Sequence, residues 1–263
     1  MTDADLAAVR AQLAVSRTRV CLIDTPGSGA VIAKRQRPSR GPWRAHAVNA
    51  LARLVGLSLL QAVPAPGGAK AQAIEVARLA ALAGEGVRVP ELLHVDVDFF
   101  VIRHLEGASL VQAIEKGGTG GFEAWQAGLD TLVEVHARGA YLSQAFARNF
   151  LVTPAGLGMI DFEDDPRQVM SLEEAQARDW LAYLHSTVWL LDRDSAAIRA
   201  AFVSRMAQER PEVRAQLARS ASRLAFLRHL PRSRRAWGRE VVGMQAAASL
   251  FHLSAIAPAK MHV

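Results

Sequence analysis

The chain has 263 residues, of which 51% are hydrophobic and 21% charged, and this balance excludes a disordered or collagen-like chain. The length suits one large domain or two unequal lobes with a sizeable buried core. Thirty-one Lys and Arg against 25 Asp and Glu leave a net charge of +6, which suits an anionic partner or else reflects a composition that is basic throughout.

The chain opens MTDADLAAVR, without the basic segment and apolar run of a secretory signal, so the expectation is a cytoplasmic protein. Residues 3–16 read as an Ala- and Leu-rich helix opened by Asp3 or Asp5. Arg19–Asp24 and Ala30–Lys34 flank Thr25-Pro26-Gly27-Ser28-Gly29 and read as a hairpin. Cys21 is the single cysteine, which excludes an intramolecular disulfide framework and a cysteine-based zinc site and fits a reducing compartment. Residues 36–68 form an insert in which Trp43–Val55 has a helical period. Arg35, Arg37, Arg40 and Arg44 lead into it. A basic segment beside a Trp- and Leu-bearing face suits an anionic bilayer, and an insert packed on the neighbouring sheet is the other reading.

A second helix is expected over Ala69–Ala83, followed by short β-type stretches at Gly86–Pro90, Glu91–Val95 and Phe99–Arg103. Gly117–Gly121 reads as a flexible joint. Phe122–Arg138 then reads as a helix ended by Gly139. Asn149–Val152 and Gly158–Phe162 read as a second hairpin, and from Ser171 the pattern is helical, with breaks near Arg210-Pro211 and at Pro231–Arg239. Val241–Ala259 is uncharged, but Gly243, Gln245, Ser249, His252, Ser254 and Pro258 make it a poor membrane span, so a buried or interfacial helix is expected. The class is therefore α+β: a β-rich lobe over residues 1–105 and a helical lobe over 106–263 that carries a hairpin at 149–162.

Several short motifs occur in an order that resembles the protein-kinase-like superfamily, in particular its small atypical bacterial members: lipopolysaccharide core kinases, aminoglycoside phosphotransferases and the small kinase of the KEOPS complex. Val31-Ile32-Ala33-Lys34 is similar to the strand that carries the lysine for the ATP phosphates. Glu75, on the next helix, stands where the family has the carboxylate that orients this lysine. Phe99-Phe100-Val101-Ile102-Arg103-His104-Leu105 is similar to the last small-lobe strand and the hinge, where backbone groups near Arg103 and Leu105 would meet adenine. Leu132–Gly139 resembles the segment before the catalytic loop. Asn149 and Asp161 match the family's pair of Mg²⁺ ligands, oxygen donors suited to a hard cation.

The resemblance implies a two-lobe kinase-like fold, ATP and Mg²⁺ as cofactors, and phosphoryl transfer to a lipid or sugar at the inner membrane face. Two departures stand against it. Leu142-Ser143-Gln144 replaces the catalytic-loop triplet, so Gln144 occupies the position of the catalytic Asp and cannot accept a proton as a carboxylate does. The glycine-rich phosphate loop is absent; Thr25–Gly29 is the nearest turn, read as a tight hairpin or a phosphate cover. Asp164 or Asp165 is a candidate displaced base. The alternative is a pseudokinase, a nucleotide-binding or structural module without phosphotransfer.

Asp161, Glu163, Asp164, Asp165, Glu173, Glu174 and Asp179 crowd 19 residues, which calls for a metal or an arginine set nearby. Asp179 also reads as a partner for the catalytic loop, and His136 as a packed helix-end residue. A second basic cluster, Arg228, His229, Arg232, Arg234, Arg235 and Arg239, joins residues 35–60 as a candidate peripheral membrane surface. No nucleic-acid signature is present, and the sequence says nothing of oligomeric state.

Overall fold

The first helix, α1 (Asp3–Val15), is capped by Thr2 and not by an aspartate. Thr2 Oγ1 accepts the Asp5 N–H at 3.2 Å while the Asp5 carboxylate accepts the Thr2 N–H at 3.0 Å, a reciprocal capping box. The computed structural model describes residues 1–38, 59, 63 and 66–254. The helix expected at Trp43–Val55, with Arg40 and Arg44, lies outside the described residues, as does the end of the uncharged 241–259 segment.

β1 (Val20–Thr25), β2 (Gly29–Arg35), β3 (Leu92–Val95) and β4 (Phe99–Arg103) form an antiparallel sheet in the order β1-β2-β4-β3. Strand periodicity sends alternate side chains to opposite faces. Phe99 and Val101 join Cys21, Ile23, Val31 and Ala33 under Val9 and Leu13 of α1. Phe100 and Ile102 turn the other way and pack with Leu79 and Leu82 of α2 (Gly68–Gly84). Both faces of β4 are covered, so four of its five residues are buried apolar ones. No strand forms at Gly86–Pro90, where a β-type stretch was expected. Val87 donates instead to Leu82 O, and Arg88 O accepts the Met159 N–H from the second sheet, at 2.9 Å in each case.

That second sheet is small: β5 (Ala108–Ser109), β6 (Phe150–Thr153) and β7 (Gly156–Met159) in sequence order. Thr153 pairs with Gly156, so only Pro154 and Ala155 make the turn, tighter than the one expected. The remainder is helical: α3 (Leu110–Glu115), α4 (Gly118–Ala137), α5 (Leu172–Thr187), α6 (Ser195–Met206), α7 (Pro211–Arg223) and α8 (Arg234–Leu253).

The expected glycine joint is not a joint, because Gly118–Gly121 supply the first turn of α4. A Cβ on Gly121 would lie 2.7 Å from Ile114 O, so the glycine serves close packing of α3 on α4. Gly139 does end α4, at φ +76°. Trp125, Leu129, Trp180, Tyr183 and Phe202 fill the core between α4, α5 and α6. α8 buries Val242, Ala247, Leu250 and Phe251, as expected of a buried C-terminal helix. No helix among the described residues is long and apolar enough to cross a membrane.

Candidate active site

A cleft of about 440 Å³ lies between the two sheets. Its lining includes Ile32 and Lys34 from β2, Ile102 from β4, His104, Leu105 and Gly107 from the connection to β5, and Asn149, Leu151 and Asp161 from the hairpin region. Three of the four sequence-predicted phosphate and metal residues thus reach one cavity, and the fourth is attached to it. Glu75, on the buried face of α2, accepts a hydrogen bond from Lys34 Nζ. The same ammonium stands 3.8 Å from Asp161 Oδ1. Burial pushes the Glu75 carboxyl up, and Lys34 pulls it back.

Asn149 ends a short 3₁₀ turn (Ala147–Asn149) immediately before β6. Its Nδ2 donates to Gln144 O at 3.0 Å, leaving the amide oxygen as the atom free to face the cleft. The ladder continues one step past β7, where Ile160 N–H donates to Asn149 O at 2.9 Å. That bond brings the segment ending in Asp161 alongside Asn149. Asp161 has φ +72°, a left-handed conformation that aspartate tolerates better than most residues. Phe162, almost fully buried in the main core, holds the bend in place. Local strain over-determined by packing is a feature of functional positions.

Asn149 and Asp161 would present two oxygen donors to a hard cation that completes its shell with phosphate oxygens and water, and the donor set fits Mg²⁺ on that basis. Among the described residues no group of three or more His, Cys, Asp or Glu is placed to hold a metal by itself. Instead the acidic segment is largely neutralised by the chain. Glu163 receives Arg19 and Arg37 on its two oxygens, and Asp165 accepts the Tyr141 hydroxyl at 2.6 Å. Glu174 completes a capping box with Ser171, and Asp179 accepts the Leu142 N–H at 2.6 Å. Glu163, although half-buried, is held below the usual glutamate range because the cations around it outweigh the burial that would raise it.

The loop before Asn149 is tied down from several sides. Asp179 holds Leu142 N, Arg78 donates to Tyr141 O, and Ser143 sits at φ +71°. His136 lies fully buried between Asp179 and Glu209, at 3.4 and 2.6 Å. It is a packed ion-paired residue remote from the cleft lining, as the sequence reading expected. Gln144 Nε2 donates to Asp164 Oδ1. The position that lacks a carboxylate therefore has one hydrogen-bonded to it, and burial pushes the Asp164 carboxyl above its ordinary range.

Arg103 is not among the cleft residues: its guanidinium is tied to Glu91 at 2.7 Å and Ser28 O at 3.0 Å, and its N–H to Glu91 O, whereas Leu105 does line the cleft. Of the two readings of Thr25–Gly29, the tight hairpin holds: Thr25 pairs with Gly29, and Gly27 N–H and Ser28 Oγ donate to Asp5, at 2.7 and 2.9 Å. The sequence reading missed the hold of Asp5 on the turn and the pairing of Arg19 with Glu163, contacts across 22 and 144 residues; the local hints are the Thr2-x-x-Asp5 capping spacing and the acidic run, which called for a metal or an arginine set. No protein-family model matches the chain, and no curated protein matches it.

Proposed function

We propose that the cleft binds a magnesium nucleotide and that the chain is a kinase-like phosphotransferase whose two sheets and helical body correspond to the small lobe, hinge and large lobe of that superfamily. The observation that carries this reading is one constellation: Lys34 paired to Glu75, 3.8 Å from Asp161, with Asn149 lining the same 440 Å³ cleft. An ammonium locked on a strand is a preorganised charge for a polyphosphate, so little reorganisation is needed when phosphate arrives. Leu105 and Ile102 supply the apolar wall suited to a base. Magnesium, when bound, neutralises phosphate charge. Asp164, raised by burial and aligned by Gln144, is the group that would take the proton from an acceptor hydroxyl.

A pseudokinase is the second reading, favoured by the loss of the loop carboxylate at Gln144. The acceptor proposed is an alcohol on a lipid or sugar at an anionic membrane surface. Phe226 and Trp237 are 64% and 58% exposed beside Arg232, Arg234, Arg235 and Arg239, a combination suited to headgroups. Of the other basic segment, Arg35 and Arg37 turn inward, to Leu13 O and Ser16 O and to Glu163, and are not free for lipid.

One incubation reads both questions: the protein with γ-labelled ATP and vesicles containing anionic phospholipid, sedimented and compared with neutral vesicles. The enzyme reading expects label in the lipid or in added sugar extract, and Asp164→Asn to reduce it by about 10²-fold or more. Nucleotide binding without any label transfer decides for the pseudokinase. Equal sedimentation with neutral vesicles removes the membrane surface.

A further inference from the structure

Asp5 answers one question and raises another. Its carboxylate receives the Gly27 N–H and the Ser28 hydroxyl at the turn end of the hairpin, whereas Lys34 pairs with Val20 at the other end. Asp5 is fully buried, and it also closes the α1 capping box. Those hydrogen bonds hold it well below the usual carboxylate range. The turn therefore has an anion already, supplied by the chain. At its own end of the hairpin Lys34 would face a polyphosphate, and it is partly neutralised by Glu75 and Asp161.

A second cation is at hand. Arg19, immediately before β1, lines the same cleft as Lys34, Asn149 and Asp161. Its guanidinium is held by Glu163, two residues beyond Asp161, on the carboxylate whose other oxygen takes Arg37 at 2.8 Å. Arg37 is not among the cleft-lining residues. Glu163 thus keeps Arg19 beside the cleft, and because it is shared with Arg37 it retains a partner if Arg19 turns away. A guanidinium offers two parallel N–H groups to phosphate oxygens and stays charged at any working pH.

We propose that Arg19 is the second phosphate-binding cation of this cleft, held ready by Glu163 at the Lys34 end of the hairpin. The ligand class is a di- or triphosphate, and the inference rests on the nucleotide reading only for the base attached to it.

The test is isothermal titration of the full chain with MgATP, inorganic tripolyphosphate and adenosine. The variants are Arg19→Gln, Arg19→Lys, Arg37→Gln and Lys34→Gln, each checked by circular dichroism. Arg19→Gln is expected to weaken MgATP and tripolyphosphate at least about tenfold and to leave adenosine unchanged. Arg19→Lys should recover part of the loss, and it stands in should the glutamine variant fail to fold. Arg37→Gln, which takes from Glu163 the partner that lets it release Arg19 but leaves Arg19 in place, should weaken binding less than Arg19→Gln does. Matching affinities for Arg19→Gln and Arg37→Gln would overturn the proposal; if Lys34→Gln then still abolishes MgATP binding, the nucleotide reading stands without it. Tripolyphosphate binding that needs Arg19 and gains nothing from adenosine supports Arg19 and defeats the nucleotide reading. A wild-type chain that binds neither polyphosphate overturns both.

Discussion

Lys34 and Glu75 have side chains only 10% and 6% exposed, so each depends on the other for charge compensation. Lys34→Met strands Glu75 in an apolar setting, and its carboxyl then escapes by taking up a proton. The sign follows from linkage: a folded-state pKa raised above the unfolded value means the native chain binds the extra proton, so stability falls as pH rises above the ordinary glutamate value. The variant should therefore lose ~3 kcal/mol at pH 8 relative to wild type and much less at pH 5, read from urea denaturation at the two pH values. A loss that is the same at both would show that Glu75 is not the group left behind. Lys34, Glu75, Asn149 and Asp161 were singled out because the motifs that carry them resemble, in order, those of the kinase-like superfamily, and the structure brings Lys34, Asn149 and Asp161 to one cleft. The pairing of Arg19 with Glu163 was not legible: the acidic run called for a metal or an arginine set, but nothing local says which arginine, 144 residues away, supplies it.

At the scale of elements, the alternation in β1, β2 and β4 and the capped helical stretches gave boundaries close to those observed, because strand and helix periods are local properties. The errors have tertiary causes. The Gly117–Gly121 run looks like a joint by composition, yet Gly121 is there because a Cβ at this position would come within 2.7 Å of Ile114 O of α3. The Gly86–Pro90 stretch looks like a strand, yet its backbone is spent on Leu82 and Met159. The turn between β1 and β2 is the tight hairpin that one of its two readings had, but its fastening by Asp5 of α1 across 22 residues was not legible.

α1 is thus fastened to the hairpin by a side chain as well as by its apolar face. Asp5→Ala should lower the melting temperature and speed amide exchange at Gly27 and at the start of α1 together, because one carboxylate serves both. Faster exchange in only one of the two places would mean that the turn and the helix are not coupled through this residue.

For the whole molecule, the charge that opened as a net +6 resolves by location. Most of the acidic run between 161 and 179 is satisfied by arginines, backbone donors and hydroxyls of the protein, and among the described residues Arg232, Arg234, Arg235 and Arg239 form an exposed basic cluster. Asp161 is the exception: it is 36% exposed at the cleft and has Lys34 only at 3.8 Å. A carboxylate left partly open beside a buried ammonium is what a cation-bridged polyphosphate would complete. The α+β architecture was readable from element order, whereas the inward turn of Arg35 and Arg37 was not, because their partners lie on α1, the chain before β1 and the segment after Asp161.

The most direct test of the central claim is a thermal-shift titration with ATP, with and without Mg²⁺, on wild type and Asp161→Ala. The account predicts stabilisation of the wild type that grows with ATP concentration, is larger with Mg²⁺, and loses its Mg²⁺ component in the variant. An unchanged wild-type melting temperature at millimolar ATP and Mg²⁺ would contradict it.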